Sequence, residues 1–272
     1  MRIRRVSLED VAKFDDGHDV LVLGQTFPAV AEHLDQMLLS LKDMEVAFQR
    51  NRGGKVTKAR ASLCEVSKEL EGSCHRDSIL LMDEDVLSSS DLLHDGPSYL
   101  REDWFQHFPK MLRPSPLCLI VGGTGARSDL HADPLSWTGW NCLLRGSKLW
   151  RFYRALPGAH ERRPFGIRGL CSVGAGWVSP MDAFTESLGY SASLEYLQQP
   201  GETLIFPAHC WHQTYHLTPT LGFAGQLLNQ QNLRRVMGHV IDWCQLKVPE
   251  DVWQKPPEEV IAHVLGDAID SM

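Results

Sequence analysis

Two polar side chains, His131 and Asp133, are spaced so that both can act on the same bound atom. Residues i and i+2 of a β-strand point to the same face, so an extended segment here directs an imidazole and a carboxylate into one cavity. A third candidate lies in the segment 200–212, which ends in Pro-Ala-His-Cys-Trp-His and is typical of strand, turn, strand. Two histidines and one carboxylate on one face of an octahedral metal are the ligand set of non-haem Fe(II) oxygenases. The pattern predicts a metal site whose open positions would take a keto acid and dioxygen.

A lysine lies between the two halves of this pattern, at the start of the segment Lys148-Leu-Trp. Burial penalises an ammonium group that points into a protein interior, unless the group meets an anion there. The distal carboxylate of a keto acid would be such an anion. We therefore expect Lys148 to point into the same cavity as the metal-ligand candidates.

The elements that must position these side chains change character along the chain. The segment 20–23 predicts a buried strand, 29–48 and 61–70 predict helices separated by a polar break at 51–58, and 78–82 predicts another strand. Eight short apolar or aromatic segments divided by Gly, Pro and Ser then predict a sandwich or barrel. These segments are 117–121, 129–133, 140–144, 148–153, 194–197, 203–206, 211–217 and 221–227.

The remaining segments complete the predicted organisation. The segment 157–193, rich in Gly, Pro and Ser, is expected to be an irregular insertion between strands. Apolar residues at helical spacing predict two helices at 232–246 and 258–269. We expect these helices either to pack on the β core or to form a homodimer contact.

Composition excludes several classes of protein. The chain has 272 residues, with 27 Lys and Arg against 34 Asp and Glu for a net charge of −7, which disfavours a general nucleic-acid binder. No apolar run is long enough to cross a bilayer, and the start Met-Arg-Ile-Arg-Arg lacks the apolar core of a signal peptide. We therefore expect no membrane partner and an intracellular location, in the nucleus or cytoplasm. Seven scattered cysteines without a Cys-x-x-Cys pair indicate free thiols.

Six segments within 78–229 carry a combined pattern that is specific, although each one alone is weak. They are Ile79-Leu-Leu-Met-Asp-Glu-Asp, Asp103-Trp-Phe-Gln, Leu130-His-Ala-Asp-Pro-Leu, Gly139-Trp-Asn, Gly146-Ser-Lys-Leu-Trp, and Leu194 to Pro207 followed by Cys-Trp-His. In these segments the chain resembles the jumonji-C (JmjC) family of Fe(II)- and 2-oxoglutarate-dependent oxygenases, and it is closest in motif to a lysyl hydroxylase of that family.

The resemblance implies a mainly β fold, the double-stranded β-helix or cupin-like jelly roll of JmjC proteins, with flanking N- and C-terminal α-helices. We expect an N-terminal α/β extension at 1–77 that packs on the core, the jelly-roll core at 78–230, and a C-terminal helical region at 231–272.

Carried over by position, the resemblance also implies the site residues. The cofactors would be Fe(II), 2-oxoglutarate as co-substrate, and O2. The metal ligands and catalytic residues would be His131, Asp133 and His212. Lys148 would pair with the distal carboxylate of 2-oxoglutarate. Two further pocket residues are implied, with Ser128 at a position where the family often has a Thr hydroxyl and Asn141 lining the same pocket.

Three histidines compete for the second imidazole position in this assignment, namely His209, His212 and His216. His209 falls in the predicted turn, whereas His212 and His216 share one strand face by their even spacing. The Trp-His pairing places His212 in the family register. His216, where relatives often carry Asn, is then interpreted as lining the pocket or supporting a ligand. Ala224 departs from the family, which has a co-substrate-binding Thr there.

The activity implied by the resemblance is hydroxylation of a protein or peptide side chain, lysyl or related, with release of succinate and CO2. Three alternatives remain. The chain could be an N-methyl-lysine or N-methyl-arginine demethylase, since demethylation begins with the same hydroxylation. It could be an RNA-base hydroxylase, which the acidic charge balance disfavours. It could be a non-catalytic cupin-like binding or scaffold protein, for which Ala224 is the supporting feature.

Overall fold

The fold consists of two β-sheets with helices on the outside. The computed structural model describes residues 1–14, 18–87, 96–154, 160–162, 176–185 and 194–270. The strands are β1 (Ile3–Arg5), β2 (Val20–Gly24), β3 (Glu45–Arg52), β4 (Lys55–Ser62), β5 (Asp77–Asp83), β6 (Cys118–Gly122), β7 (His131–Ala132), β8 (Thr138–Arg145), β9 (Lys148–Tyr153), β10 (His160–Arg162), β11 (Gly176–Val178), β12 (Leu194–Gln198), β13 (Glu202–Phe206), β14 (Trp211–His216) and β15 (Thr220–Leu227). The helices are α1 (Val11–Phe14), α2 (Pro28–Glu32), α3 (Leu34–Leu41), α4 (Leu63–Glu71), α5 (Ser98–Arg101), α6 (Leu233–Cys244) and α7 (Pro257–Asp270).

The two sheets have the order β1-β2-β13-β8-β15-β6-β5-β3-β4 and β10-β11-β7-β14-β9-β12. Within the described residues, all neighbouring strands are antiparallel except the parallel pair β1 and β2. The expected mainly β jelly-roll class with flanking helices is confirmed. The N-terminal strands extend the larger sheet, and the division of the chain at residue 77 stays a prediction.

Alternation of side chains along the strands separates two apolar cores. On β2, Val20 and Val22 face the smaller sheet, where they pack in one cluster with Trp150 and Phe152 of β9. Leu21, between the two valines, belongs to the other cluster, together with the apolar residues of α2, α3 and α4. Successive residues of a strand point to opposite faces, so one short strand contributes to both cores. The smaller sheet therefore closes over one face of the larger sheet, and the helices cover the other.

One predicted helix is wrong in its second half. The expected helix at 29–48 ends at Leu41, and β3 begins at Glu45. Val46 and Phe48 alternate with exposed residues, because β3 is covered on only one face. The predicted polar break at 51–58 contains the tight turn of the hairpin between β3 and β4, and its two glycines have positive φ values of 56° and 90°. The helix expected at 61–70 is confirmed as α4, and it begins with a capping box at Ser62.

The insertion expected at 157–193 falls largely outside the described residues. Its described parts contain β10 and β11, which pair with each other and continue the smaller sheet next to β7. The expectation of irregular structure is therefore wrong for these two short strands. A strand of three residues carries too little periodicity to be recognised in a Gly- and Pro-rich sequence.

The C-terminal helices pack on the protein itself. Val236 and Val240 of α6 and Val264 of α7 are buried together with Phe105 and Leu135. Apolar residues of both helices are thereby covered within one chain, and the homodimer contact stays a prediction.

The six cysteines among the described residues are free thiols, as expected. No helix in the described ranges is long and apolar enough to cross a membrane.

A two-residue turn, Gly146 and Ser147, connects β8 to β9 and so places Lys148 at the start of its strand. Gly146 has φ of 83°, a backbone conformation that side chains with a Cβ rarely adopt. A Cβ on Gly146 would lie 2.1 Å from the carbonyl oxygen of Pro219. The turn therefore requires glycine for both conformation and space.

We predict that Gly146→Ala lowers the free energy of unfolding by about 2 kcal/mol or more, because the strain of the left-handed conformation and the overlap with Pro219 add together. Gly238→Ala is the matched control, since a Cβ there has nothing within 4 Å and the residue lies within α6. The control should keep or raise stability, because alanine favours a helix over glycine. Urea unfolding of both variants measures the effect, and equal stability of the two would show that the turn does not require glycine at position 146.

Candidate metal centre

The site is organised by β14, which lies between β7 and β9 in the smaller sheet. His212 pairs in register with His131 of β7 and with Phe152 of β9. Two residues further along, Thr214 pairs with Trp150. Because side chains alternate with a period of two, these residues project from one face of the sheet. That face lines a cavity of about 800 Å³ between the two sheets.

The three predicted metal ligands come together in the wall of this cavity. One ligand atom from each of His131, Asp133 and His212 lies within 4.8 Å of the others. The His131 Nε2 and Asp133 Oδ1 atoms are 3.6 Å apart, and the two imidazole rings have centroids 4.3 Å apart. Two imidazoles and one carboxylate at these separations form a donor set that fits a divalent transition metal.

Backbone carbonyls orient both imidazoles toward this centre. The Nδ1 atom of His131 lies 2.8 Å from the carbonyl oxygen of Asp129, and the Nδ1 atom of His212 lies 2.9 Å from that of Cys210. Each Nδ1 therefore donates its hydrogen to a carbonyl and leaves Nε2 with a free lone pair, which is the arrangement of metal-binding histidines. Burial and the nearby His131 lower the pKa of His212 to about 4, so its ring is neutral and able to bind a metal at neutral pH.

Space beside the carboxylate depends on Gly139 of β8. A Cβ on this residue would lie 2.8 Å from Asp133 Oδ2 and 2.2 Å from the ring of Phe206. The Phe206 ring in turn packs against His212, with centroids 4.7 Å apart. Gly139 therefore allows an apolar ring and the Asp133 carboxylate to approach the centre together.

Lys148 projects into the same cavity, as expected. Its side chain is 1% exposed, and its Nζ donates a hydrogen bond of 3.1 Å to Asn141 Oδ1. Burial lowers the pKa of Lys148 to about 7. Within the described part of the chain, no carboxylate forms an ion pair with this ammonium. A buried cation in this setting favours binding of an anion in the cavity.

Ser128 and Thr214 form a polar pair in the cavity wall. The Ser128 hydroxyl accepts hydrogen bonds from the Thr214 backbone N–H at 3.0 Å and from the Thr214 hydroxyl at 3.3 Å. Sequence reasoning proposed Ser128 but missed Thr214. The signal was present, since Thr214 lies two residues from His212 on the same strand face.

The other histidines of this stretch have separate positions. His209 lies in the turn before β14, with φ of 55°, and its Nε2 is hydrogen-bonded to the Ser136 hydroxyl at 2.7 Å. It contributes nothing to the metal cluster. His216 lines the cavity, as expected, and Ala224 lines it with a methyl group where the resemblance implies a hydroxyl.

Glu84 is a cavity-lining residue to which sequence reasoning gave no role. It follows β5 in the acidic sequence Asp83-Glu84-Asp85. Burial, together with Asp85 and Asp83, raises the pKa of the Glu84 carboxyl to about 7. A cluster of three acidic residues directly after a strand was the available signal.

Comparison with known proteins identifies relatives across most of the chain, although no protein-family profile matches it. The chain is 28% identical over 247 residues to the lysine-specific demethylase JMJ21 of Arabidopsis thaliana, covering 85% of this chain and 25% of that protein. It is 25% identical over 150 residues to the bifunctional arginine demethylase and lysyl-hydroxylase psr-1 of Caenorhabditis elegans, covering 52% and 36%. It is 25% identical over 185 residues to the 2-oxoglutarate and iron-dependent oxygenase JMJD4 of Mus musculus, covering 62% and 40%.

The chain thus spans between a quarter and two fifths of the length of these relatives. Relatives named as demethylases, a lysyl-hydroxylase and a 2-oxoglutarate and iron-dependent oxygenase match this chain, and its fold agrees with the sequence-based expectation, so the comparisons support its resemblance to the jumonji-C oxygenases.

Proposed function

We propose that this chain is an Fe(II)- and 2-oxoglutarate-dependent dioxygenase that hydroxylates a protein side chain. The observation that carries the proposal is the His131, Asp133 and His212 cluster, with ligand atoms within 4.8 Å of one another, in a cavity that also contains the buried Lys148. The overall reaction consumes the substrate C–H bond, O2 and 2-oxoglutarate, and it yields the C–OH product, succinate and CO2.

The metal would be held by the Nε2 atoms of His131 and His212 and by the Asp133 carboxylate. When bound, Fe(II) supplies the redox chemistry that couples decarboxylation of the keto acid by O2 to oxidation of the substrate. The protein holds the two imidazoles in one tautomer through the carbonyls of Asp129 and Cys210. The Phe206 ring packs against His212 and covers one side of the centre.

Lys148 would bind and orient the co-substrate. Its ammonium pairs with the distal carboxylate of 2-oxoglutarate, while Asn141 Oδ1 fixes the position of Nζ. Without a bound anion, burial holds the pKa of Lys148 at about 7. A bound carboxylate raises this pKa because it stabilises the charged form, so the amine is protonated in the complex. Ser128 and Asn141 contribute hydrogen-bonding groups to the same pocket.

A cationic protein side chain is the substrate class that the site favours. The names of the relatives refer to demethylation of lysine or arginine and to hydroxylation of lysine. The Glu84 carboxyl lies in the cavity wall and forms no ion pair among the described residues, so it can accept a hydrogen bond from an ammonium or guanidinium group. Demethylation of an N-methylated side chain is the second candidate, which the names of the relatives support.

We predict that Asp133→Ala weakens binding of Fe(II) by more than about a hundredfold, since removal of a direct ligand costs more than changes beyond the ligands usually do. Asp251→Ala, at an exposed position, is the matched control and should bind the metal like the wild type. Metal content after anaerobic dialysis against a graded Fe(II) series measures the effect. Equal metal retention by the two variants would contradict the proposed ligand set.

We predict that Lys148→Met weakens 2-oxoglutarate binding by about a hundredfold, because the anion loses a buried cation. Wild-type affinity should fall as the pH rises above about 7, since the ammonium must then take up a proton to bind the anion. Titration calorimetry with the Mn(II)-loaded protein at several pH values measures both effects.

The Lys148→Met variant should lose this pH dependence and keep its fold, because methionine needs no buried charge. Lys247→Met changes an exposed lysine and is the control, with affinity and pH profile expected to match the wild type. Retention of the wild-type pH profile in Lys148→Met would exclude Lys148 as the group that binds the distal carboxylate.

The proposed reaction is tested on peptide arrays that contain lysine, arginine and their N-methylated forms, with Fe(II), 2-oxoglutarate and O2 supplied. We expect succinate formation coupled to a peptide mass gain of one oxygen atom, and no product with Asp133→Ala. Loss of one methylene from a methylated peptide would instead establish the demethylase candidate. Metal binding without succinate or product on any peptide or RNA would support the scaffold alternative.

A further inference from the structure

His216 presents an unused hydrogen-bonding atom to the cavity. The residue lies at the end of β14 and is 1% exposed. Its Nδ1 atom is hydrogen-bonded to the Thr220 hydroxyl. Its Nε2 atom is buried and has no partner among the described residues. A buried polar atom without a partner is unfavourable, so such an atom at a cavity wall indicates a ligand that completes it.

The position of His216 relative to Lys148 defines which ligand group could be bound. The two residues are direct register partners across β14 and β9. Side chains of directly opposed residues point to the same face, with Cβ atoms about 5 Å apart. Both side chains line the same cavity. An ammonium and an imidazole therefore project side by side from the sheet, which suits two oxygen atoms of one carboxylate.

The neighbouring strand leaves room for this ring. A Cβ on Gly122 of β6 would lie 2.1 Å from His216 Nδ1, so any larger residue at this position would displace the imidazole. Gly122 also pairs in register with Thr220, the residue that holds Nδ1. The position of the ring is thus determined by a glycine and a hydroxyl on two adjacent strands.

The hydrogen-bond pattern makes Nε2 a donor. The Thr220 hydroxyl has no other acceptor among the described residues, so it donates to Nδ1. The neutral ring then carries its hydrogen on Nε2. Burial and the nearby Lys148 lower the pKa of His216 well below its usual range, which is consistent with a neutral ring. A neutral donor beside an ammonium can bind an anion without adding a second charge.

We propose that His216 is a co-substrate-binding residue that donates from Nε2 to the distal carboxylate of 2-oxoglutarate, beside Lys148. This inference rests on the proposed function. It also accounts for the departure at Ala224, because the hydroxyl donor implied by the resemblance at that position is replaced by an imidazole donor from β14.

The test compares two keto acids in two variants. Titration calorimetry with the Mn(II)-loaded protein measures the affinity for 2-oxoglutarate and for 2-oxopentanoate, which has a methyl group in place of the distal carboxylate. His216→Leu should bind 2-oxoglutarate about tenfold to a hundredfold more weakly, the loss expected for one hydrogen bond to a charged group. Its affinity for 2-oxopentanoate should stay within about twofold of the wild type, because that ligand lacks the interaction.

Tyr215→Phe is the matched control, since Tyr215 is the preceding residue on the strand and its hydroxyl contacts His75 instead of the cavity. It should leave both affinities unchanged. If His216→Leu does not fold, Thr220→Val serves in its place, because it removes the hydroxyl that fixes the tautomer. It should selectively weaken 2-oxoglutarate by about threefold or more.

The titrations distinguish a failure of the proposed role of His216 from a failure of the proposed dioxygenase function. Equal losses for both keto acids would indicate a structural role for His216 and overturn the inference, as would unchanged binding of 2-oxoglutarate. In either case the wild type still binds the co-substrate, so the proposed function is unaffected. Failure of the metal-loaded wild type to bind 2-oxoglutarate would overturn the proposed function and the inference together.

Discussion

The register of β14 between β7 and β9 is the constraint on which the rest of the site depends. One pairing places His212 opposite His131, and the same strand four residues on places His216 opposite Lys148. A slip of β14 by one residue would turn His212 and His216 to the other face of the sheet. The two imidazole ligands, Lys148 and His216 are therefore placed relative to one another by the pairing of one strand, and Asp133 directly follows β7.

Burial of the groups that line the cavity determines which ligands the cavity favours. Burial keeps His212 neutral and lowers the pKa of Lys148 to about 7, so the cavity combines unprotonated nitrogen donors with an ammonium that lacks a carboxylate partner among the described residues. The neutral imidazoles are in the protonation state that metal binding requires, whereas the buried ammonium is unfavourable until an anion binds beside it. The cavity thus favours a metal together with a dianionic co-substrate.

Local periodicity predicted part of this site, and the family resemblance supplied the remaining assignments. The spacing of His131 and Asp133, and the even spacing from His212 to His216, follow directly from the two-residue repeat of a strand. Val46 and Phe48 show where this reasoning fails, because apolar residues in a continuous stretch fit a helix until pairing with β4 and β5 is known. The need for Gly122 and Gly139 depends on contacts between distant strands, which no short sequence window contains.

The central claim is that the cluster of His131, Asp133 and His212 assembles a metal centre that chelates 2-oxoglutarate. It is tested most directly by anaerobic titration of Fe(II) and 2-oxoglutarate into the wild-type protein, with the visible charge-transfer absorption of the chelated keto acid as the signal. We expect an absorption band that saturates at one equivalent of each and that is absent in His212→Ala. A folded wild-type protein that shows no band would contradict the claim.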